Sequence, residues 1–254
     1  MCIRDRSYTG NSSENIDFIL ARTAFNNRLE ASLNGPEFDV SFASFSPDGE
    51  WLVTNDSNDG DIRVWSLDEN GQWQSQVLRS NEDYIHQVSF SPDGKWLTAE
   101  GSVGTTSTVY IWELDENKQW QSQVLQDQGG WRITGVSFSH DGEHLVTVKG
   151  TVDTDTVYVW ALNALRQWQY QALSRHQGSI NNARISPDGQ RLVTASDDKT
   201  AQVWLLAETG RWQFEQVLEG HQGSVNDASF SPDGQRLVTA SNEARIWELD
   251  KNKQ

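Results

Sequence analysis

The chain has 254 residues, a formal net charge of −16, a pI near 4.6, 12 tryptophans and one cysteine. That much negative charge repels phosphate backbones and argues against direct nucleic-acid binding. The lone Cys2 allows no intrachain disulfide, and no run reaches the roughly 18 apolar residues of a membrane helix. The opening residues also lack the apolar stretch of a secretory signal, so a cytoplasmic location is expected. Solubility is the plain reading of the acidity; a basic partner surface is the second.

Residues 1–15 read as a disordered leader. Met1 to Arg6 matches nothing downstream and reads as non-native, and Ser7 to Asn15 is polar. Asn11-Ser12-Ser13 fits a glycosylation sequon, idle without a signal. Residues 16–33 read as the remnant of a preceding repeat unit, with Arg28 to Leu33 as its last strand; a helix over 16–24 is the competing reading.

Residues 34–254 carry five copies of one unit. Each opens on a strand, a turn and a second strand, as in SFSPDGEWLVT and SFSPDGQRLVT. The turn glycines are Gly49, Gly94, Gly142, Gly189 and Gly234, so the period is 45 to 48 residues. Such a period marks a propeller blade or another repeat array. Ser-Pro-Asp-Gly is turn chemistry: Pro presets the first corner, Asp bonds its own backbone and Gly takes the left-handed position. A third strand ends near Trp65, Trp112, Trp160, Trp204 and Trp247, and a fourth opens at Trp73, Trp120, Trp168 and Trp212. The strands are apolar on both faces, as a sheet sandwiched between two others requires.

These units resemble WD40 repeats of the β-propeller family, of the kind found in large bacterial signalling or regulatory proteins. The resemblance covers about residues 28 to 249 and is best around Gly189. It implies an all-β fold of four-stranded antiparallel blades, five of them visible, as part of a larger propeller. It also places His176, Ser196, Asp198 and Trp204 at the positions of the family's structural hydrogen-bonded tetrad. The last unit keeps His221 and Trp247 but lacks the Asp. Pro36, Asn81 and Gln128 stand where the other three units should have His. The tail parallels residues 113–119, whose next residue is Trp120. It is therefore read as a window on a longer protein; the rival reading pairs residues 28–33 with the last blade to close a five-bladed ring.

Three motifs with a chemical look have plainer readings. His140 to His144 matches H-x-x-E-H, but that zinc string needs a helix and here it replaces a hairpin turn. Asn55 to Asp61 looks like a calcium loop, yet position 12 would be Ser66 rather than Glu. It and the acidic pair Asp153 and Asp155 read as loops between strands two and three. His176 and His221 near Ser and Asp suggest a triad, but no nucleophile elbow appears. No catalytic residue, metal site or cofactor is expected.

What remains is a contact surface. Aligned on the residue closing strand one, the residues at its opening are Asp39, Tyr84, Arg132, Ser179 and Ser224, and they vary while their surroundings do not. Loops on a rigid scaffold are where binding resides, and Tyr84, Trp131 and Arg132 are hot-spot residue types. Trp131 alternatively packs over its own long loop. The expected function is a non-enzymatic protein–protein scaffold, the docking or sensing part of a larger signalling or regulatory protein with further domains attached. The alternative is a propeller hydrolase using carboxylates or a metal in the central channel.

Overall fold

A computed structural model describes residues 32–33, 40–56, 60–79, 84–103, 106–125, 132–150 and 155–249. The leader, the contested helix, the strand expected before Leu33 and the tail after Leu249 lie outside the described residues.

All regular structure described is strand, in five antiparallel sheets that follow chain order. Blade one is β1 (Val40–Phe45), β2 (Trp51–Asp56), β3 (Ile62–Leu67) and β4 (Trp73–Leu78). Blade two is β5 (Tyr84–Phe90), β6 (Trp96–Val103), β7 (Thr106–Leu114) and β8 (Trp120–Val124). Blade three is β9 (Arg132–Phe138), β10 (His144–Gly150), β11 (Thr156–Leu162) and β12 (Trp168–Leu173). Blade four is β13 (Ile180–Ile185), β14 (Arg191–Ser196), β15 (Ala201–Leu206) and β16 (Trp212–Leu218). Blade five shows three described strands: β17 (Asp227–Phe230), β18 (Arg236–Ala240) and β19 (Ala244–Glu248). Each sheet packs on the next, and the first strands β9, β13 and β17 touch in succession. This is the expected β-propeller arrangement of blades.

The hairpins form for the reason their sequence gives. In blade one the Ser46 hydroxyl donates to Asp48 Oδ1 at 2.5 Å and accepts from the Trp51 amide at 3.0 Å. The same aspartate accepts from the Glu50 amide, and Gly49 sits at φ +74°. Blades two to five repeat this around Ser91, Ser139, Ser186 and Ser231. His140 replaces Pro in blade three without changing the turn, because the bonds come from Ser and Asp.

The core lies between blades rather than inside them. Val53 and Val64 of blade one pack with Val88 and Leu97 of blade two; Val146 and Val159 of blade three pack with Leu192 and Trp204 of blade four. In blades one to three the residue two after the hairpin glycine meets the first tryptophan of the next blade's fourth strand, edge to face. The pairs are Trp51–Trp120 at 5.7 Å, Trp96–Trp168 at 5.2 Å and His144–Trp212 at 6.0 Å. Such ring pairs add about 0.5–1.5 kcal/mol beyond their burial. Leu33 seats on Leu52 and Trp65 of blade one much as Leu173 seats on Leu192 and Trp204.

Neutral clamps join the outer strands. Gln76 of β4 donates to the Trp120 carbonyl at 3.0 Å and accepts from the Trp120 amide at 3.1 Å. Gln171 of β12 does the same to Trp212, at 2.7 and 2.8 Å. Gln123, at the same place in β8, turns instead toward Glu113 at 3.5 Å.

Candidate functional site: the rim where first strands begin

Every first strand begins at the same end of its sheet, opposite the close of the second strand. The pairs Tyr84↔Ser102, Arg132↔Gly150 and Ile180↔Ser196 define that end. Tyr84 opens β5 and is 59 % exposed. Arg132 opens β9. Ser179, exposed, directly precedes β13, and its carbonyl accepts from the Asp197 amide at 2.9 Å. Ser224, half-buried, precedes the buried Val225. The structure thus brings Tyr84, Arg132, Ser179 and Ser224 to equivalent ends of their blades. Asp39 and Trp131 lie outside the described residues.

A shared irregularity shapes the first strands of blades one to four behind this rim. Strand one skips a residue in its pairing at Ser41, His86, Thr134 and Asn181. A bulge of this kind bends the strand and re-aims the next side chain. The residues at that next position are Phe42, Gln87, Gly135 and Asn182, with Asp227 at the same offset in blade five.

Beneath the rim in blade four lies a buried polar chain. His176 Nδ1 is 2.8 Å from Asp198 Oδ2 and His176 Nε2 is 2.7 Å from Thr194 Oγ1. Asp198 also accepts from the Gln177 amide at 3.0 Å and the Thr200 hydroxyl at 2.6 Å. In the neutral ring Nδ1–H donates to the carboxylate and Nε2 accepts a hydrogen bond from the Thr194 hydroxyl. Burial lowers the His176 pKa below its ordinary 6.5, outweighing the pull of Asp198. Burial pushes Asp198 up, but the bonds from Thr200, Gln177 and His176 leave it below its ordinary 3.8.

Two of the four expected tetrad members need correction. The hydroxyl facing His176 belongs to Thr194, not Ser196, whose Oγ instead accepts from the Asp198 amide at 3.1 Å. Side chains alternate along β14, so a residue two places away shares the face but stands at the strand's end. The Trp204 indole N–H is buried with no acceptor among the described residues. Elsewhere that bond forms to the threonine five residues after the turn glycine: Trp65 to Thr54 at 3.0 Å, Trp160 to Thr147 at 3.0 Å and Trp247 to Thr239 at 2.8 Å. Blade two has Ala99 there. That constant offset was the signal for Thr194.

Sequence reading also missed two carboxylates. Glu243 stands nine residues after Gly234, as Asp198 does after Gly189, and lies 3.9 Å from His221 Nδ1 while holding Arg245 at 2.6 Å. Asp155, expected in an acidic loop between strands two and three, is 5 % exposed, and its Oδ2 accepts from the Ile180 amide of blade four at 2.6 Å. Asp153 lies outside the described residues. Asn55 likewise ties blades rather than opening a cation loop: it accepts from Ser41 at 3.0 Å and donates to the Ile85 carbonyl at 3.3 Å. His144 is spent on Trp212, and no group of three or more potential metal-ligating side chains occurs among the described residues.

A family model described as WD domain, G-beta repeat matches residues 27–66, 72–113, 167–204 and 212–248, together more than half of the chain. The chain belongs to the WD40 family. The first three strands of blade three, β9 to β11, fall between the matches, where His140 replaces the hairpin proline. A segment of 33 residues is 54% identical to human (Homo sapiens) WD repeat-containing protein 86, which is 13% of this chain and 9% of that protein's length. The WD40 repeats support a protein-interaction scaffold. No helix described is long and apolar enough to cross a membrane.

Proposed function

We propose that this WD40 chain docks another protein on the rim formed by Tyr84, Arg132, Ser179 and Ser224, with Asp39 and Trp131 as further members. The blades hold these residues still, and no chemistry is performed. The observation that carries the reading is the contrast between constant scaffold and varied rim. Turn bonds, bulge and inter-blade ring pairs recur from blade to blade, while the opening residue changes from phenol to guanidinium to hydroxyl. A rigid frame with variable connections is the usual arrangement of a recognition surface. The partner is a protein, since a net charge of −16 disfavours nucleic acid. We place the chain in the cytoplasm, as the docking or sensing part of a larger signalling or regulatory protein.

The residue types behind the bulges speak against a hydrolase. A glycosidase centre needs paired carboxylates within about 10 Å of each other, and of Phe42, Gln87, Gly135, Asn182 and Asp227 only one is acidic. To test the docking reading, the chain and a triple variant (Tyr84→Ala, Ser179→Arg, Ser224→Arg) are immobilised and exposed to a matched lysate. Proteins held by the parent are expected to be absent from the variant, while a hairpin variant on the opposite face (Glu50→Lys) keeps them. Equal retention by the rim variant would refute the rim.

A further inference from the structure

Where the inner strands of blades two, three and four converge, the structure contains a cavity of about 490 Å³. Its wall includes Gln87, Gly135, Val146, Asn182, Ala183 and Ile185. The cavity has a specific origin. The position after the first-strand bulge is filled differently from blade to blade. In blade one the residue there is Phe42, which packs onto the core shared by blades one and two. In blade three it is Gly135, and a Cβ built there meets nothing within 4 Å. The space that a phenyl ring fills between blades one and two is therefore open at blade three.

Its lining has two characters. Val146, Ala183 and Ile185 supply apolar wall. Gln87 and Asn182, flanking Gly135 on either side, supply amides. The Asn182 side-chain oxygen is buried and reached by no donor among the described residues. Gln87 makes one long bond, to Ser89 at 3.4 Å. Asn181 is already engaged, by Asp197 at 2.8 Å and the Val225 carbonyl at 3.1 Å. A buried acceptor without a donor costs free energy that an incoming hydroxyl would recover.

We propose that the Gly135 cavity is a seat for a neutral flat ring carrying a hydroxyl at its edge, the chemistry of a phenol. The ring lies against Val146, Ala183 and Ile185 in the place Phe42 takes in blade one, and the hydroxyl meets the Asn182 amide. A cavity of this size lies within the range of small-ligand sites, and its wall mixes the apolar Val146, Ala183 and Ile185 with polar groups, Ser137 and Arg184 among them, as a ring with a polar edge requires. The phenol comes either from a tyrosine side chain of a docked partner or from a free phenolic molecule. Only the first source rests on the docking function proposed above.

The test uses p-cresol, the tyrosine side chain alone, titrated into the whole chain while the methyl resonances of Val146 and Ala183 are followed. Saturable shifts at millimolar p-cresol are expected. Gly135→Phe, which copies blade one, is expected to weaken binding at least tenfold with the melting temperature unchanged or raised; Gly135→Val serves if the larger ring prevents folding. Asn182→Leu is expected to abolish the preference for p-cresol over toluene. N-acetyl-tyrosinamide binding with the same shifts assigns the seat to a protein side chain, and p-cresol binding alone assigns it to a small molecule. Shifts that never saturate, or binding equal in the Gly135 variants, would overturn the seat, whatever the lysate experiment shows for the rim.

Discussion

Single residues in this chain act mainly through hydrogen bonds that one blade cannot replace. Thr239 is the sharpest case, because its hydroxyl serves both His221 Nε2 at 2.7 Å and the Trp247 indole at 2.8 Å. Thr239→Val keeps the shape and strands both partners, so a loss of about 2–3 kcal/mol is expected by urea denaturation. Thr239→Ser should restore most of it. The opposite sign is expected at Lys118, which closes the turn between β7 and β8 at φ +59° where Gly71 and Gly210 serve in other blades. Removing the Cβ relieves a left-handed cost of about 1–2 kcal/mol, less what glycine loses in chain entropy. Lys118→Gly should therefore stabilise by about 0.5–1 kcal/mol. These residues differ in how readable they were. The turn glycines announce themselves by period, whereas Thr194 and Glu243 carry ordinary residue types and emerge only when counted from those glycines.

At the scale of the strand, the fourth strands show why Trp-Gln-x-Gln recurs. The first Gln faces solvent; the second, Gln76 or Gln171, pairs with the backbone of the next blade's opening tryptophan. Gln171→Ala should cost about 1–3 kcal/mol, since it leaves the part-buried Trp212 amide and carbonyl unpaired, and should speed amide exchange in β16. Gln123→Ala should cost less, having no such pairing to lose. Strands and turns were legible because alternation and Ser-Pro-Asp-Gly are local signals. The clamps were not, for nothing in a single strand says which backbone a glutamine will meet. The fifth blade adds a strand-scale expectation. Val238 and Ile246 occupy places that are buried in the other blades at Val53 and Val64, yet Ile246 is 73 % exposed. Exposed apolar strands promote association, so Ile246→Lys should reduce light scattering by this chain at high concentration.

Across the whole molecule, protonation couples to stability through buried imidazoles. Burial holds His144, His176 and His221 below 6.5, with Arg245 adding to the effect at His221. Below that value the unfolded chain binds protons that the native state refuses. Stability is therefore full above pH 6.5 and falls as pH drops through 6.5 toward the folded values. A second loss is expected below pH 3.8, where Asp93, Asp141 and Asp198, each held below that value in the native state, begin to protonate in the unfolded chain first. Melting temperatures between pH 8 and pH 3 should show both steps, and His176→Gln should flatten the first. The global fold was legible from the repeat, since a five-fold recurrence of one unit leaves few ways to bury both faces. The cavity was not, because Gly135 reads as an ordinary strand residue until Phe42 shows what its place normally holds.

The departure at Gln123 makes one junction different in kind from its neighbours. Blades one and two, and three and four, are joined at the outside by uncharged amides, the first pair with a long, exposed Lys118–Glu50 contact at 3.9 Å beside the amide, whereas blades two and three meet there through the Arg166–Glu113 ion pair, with Arg166 also over the Trp96 ring at 5.9 Å. Ions in solution weaken charge pairs and leave amide bonds nearly untouched. Molar sodium chloride should thus loosen this seam more than the amide-clamped ones: deuterium uptake and protease nicking would rise most around β8 and β12, so that the array parts first in a place set by ionic strength rather than by heat.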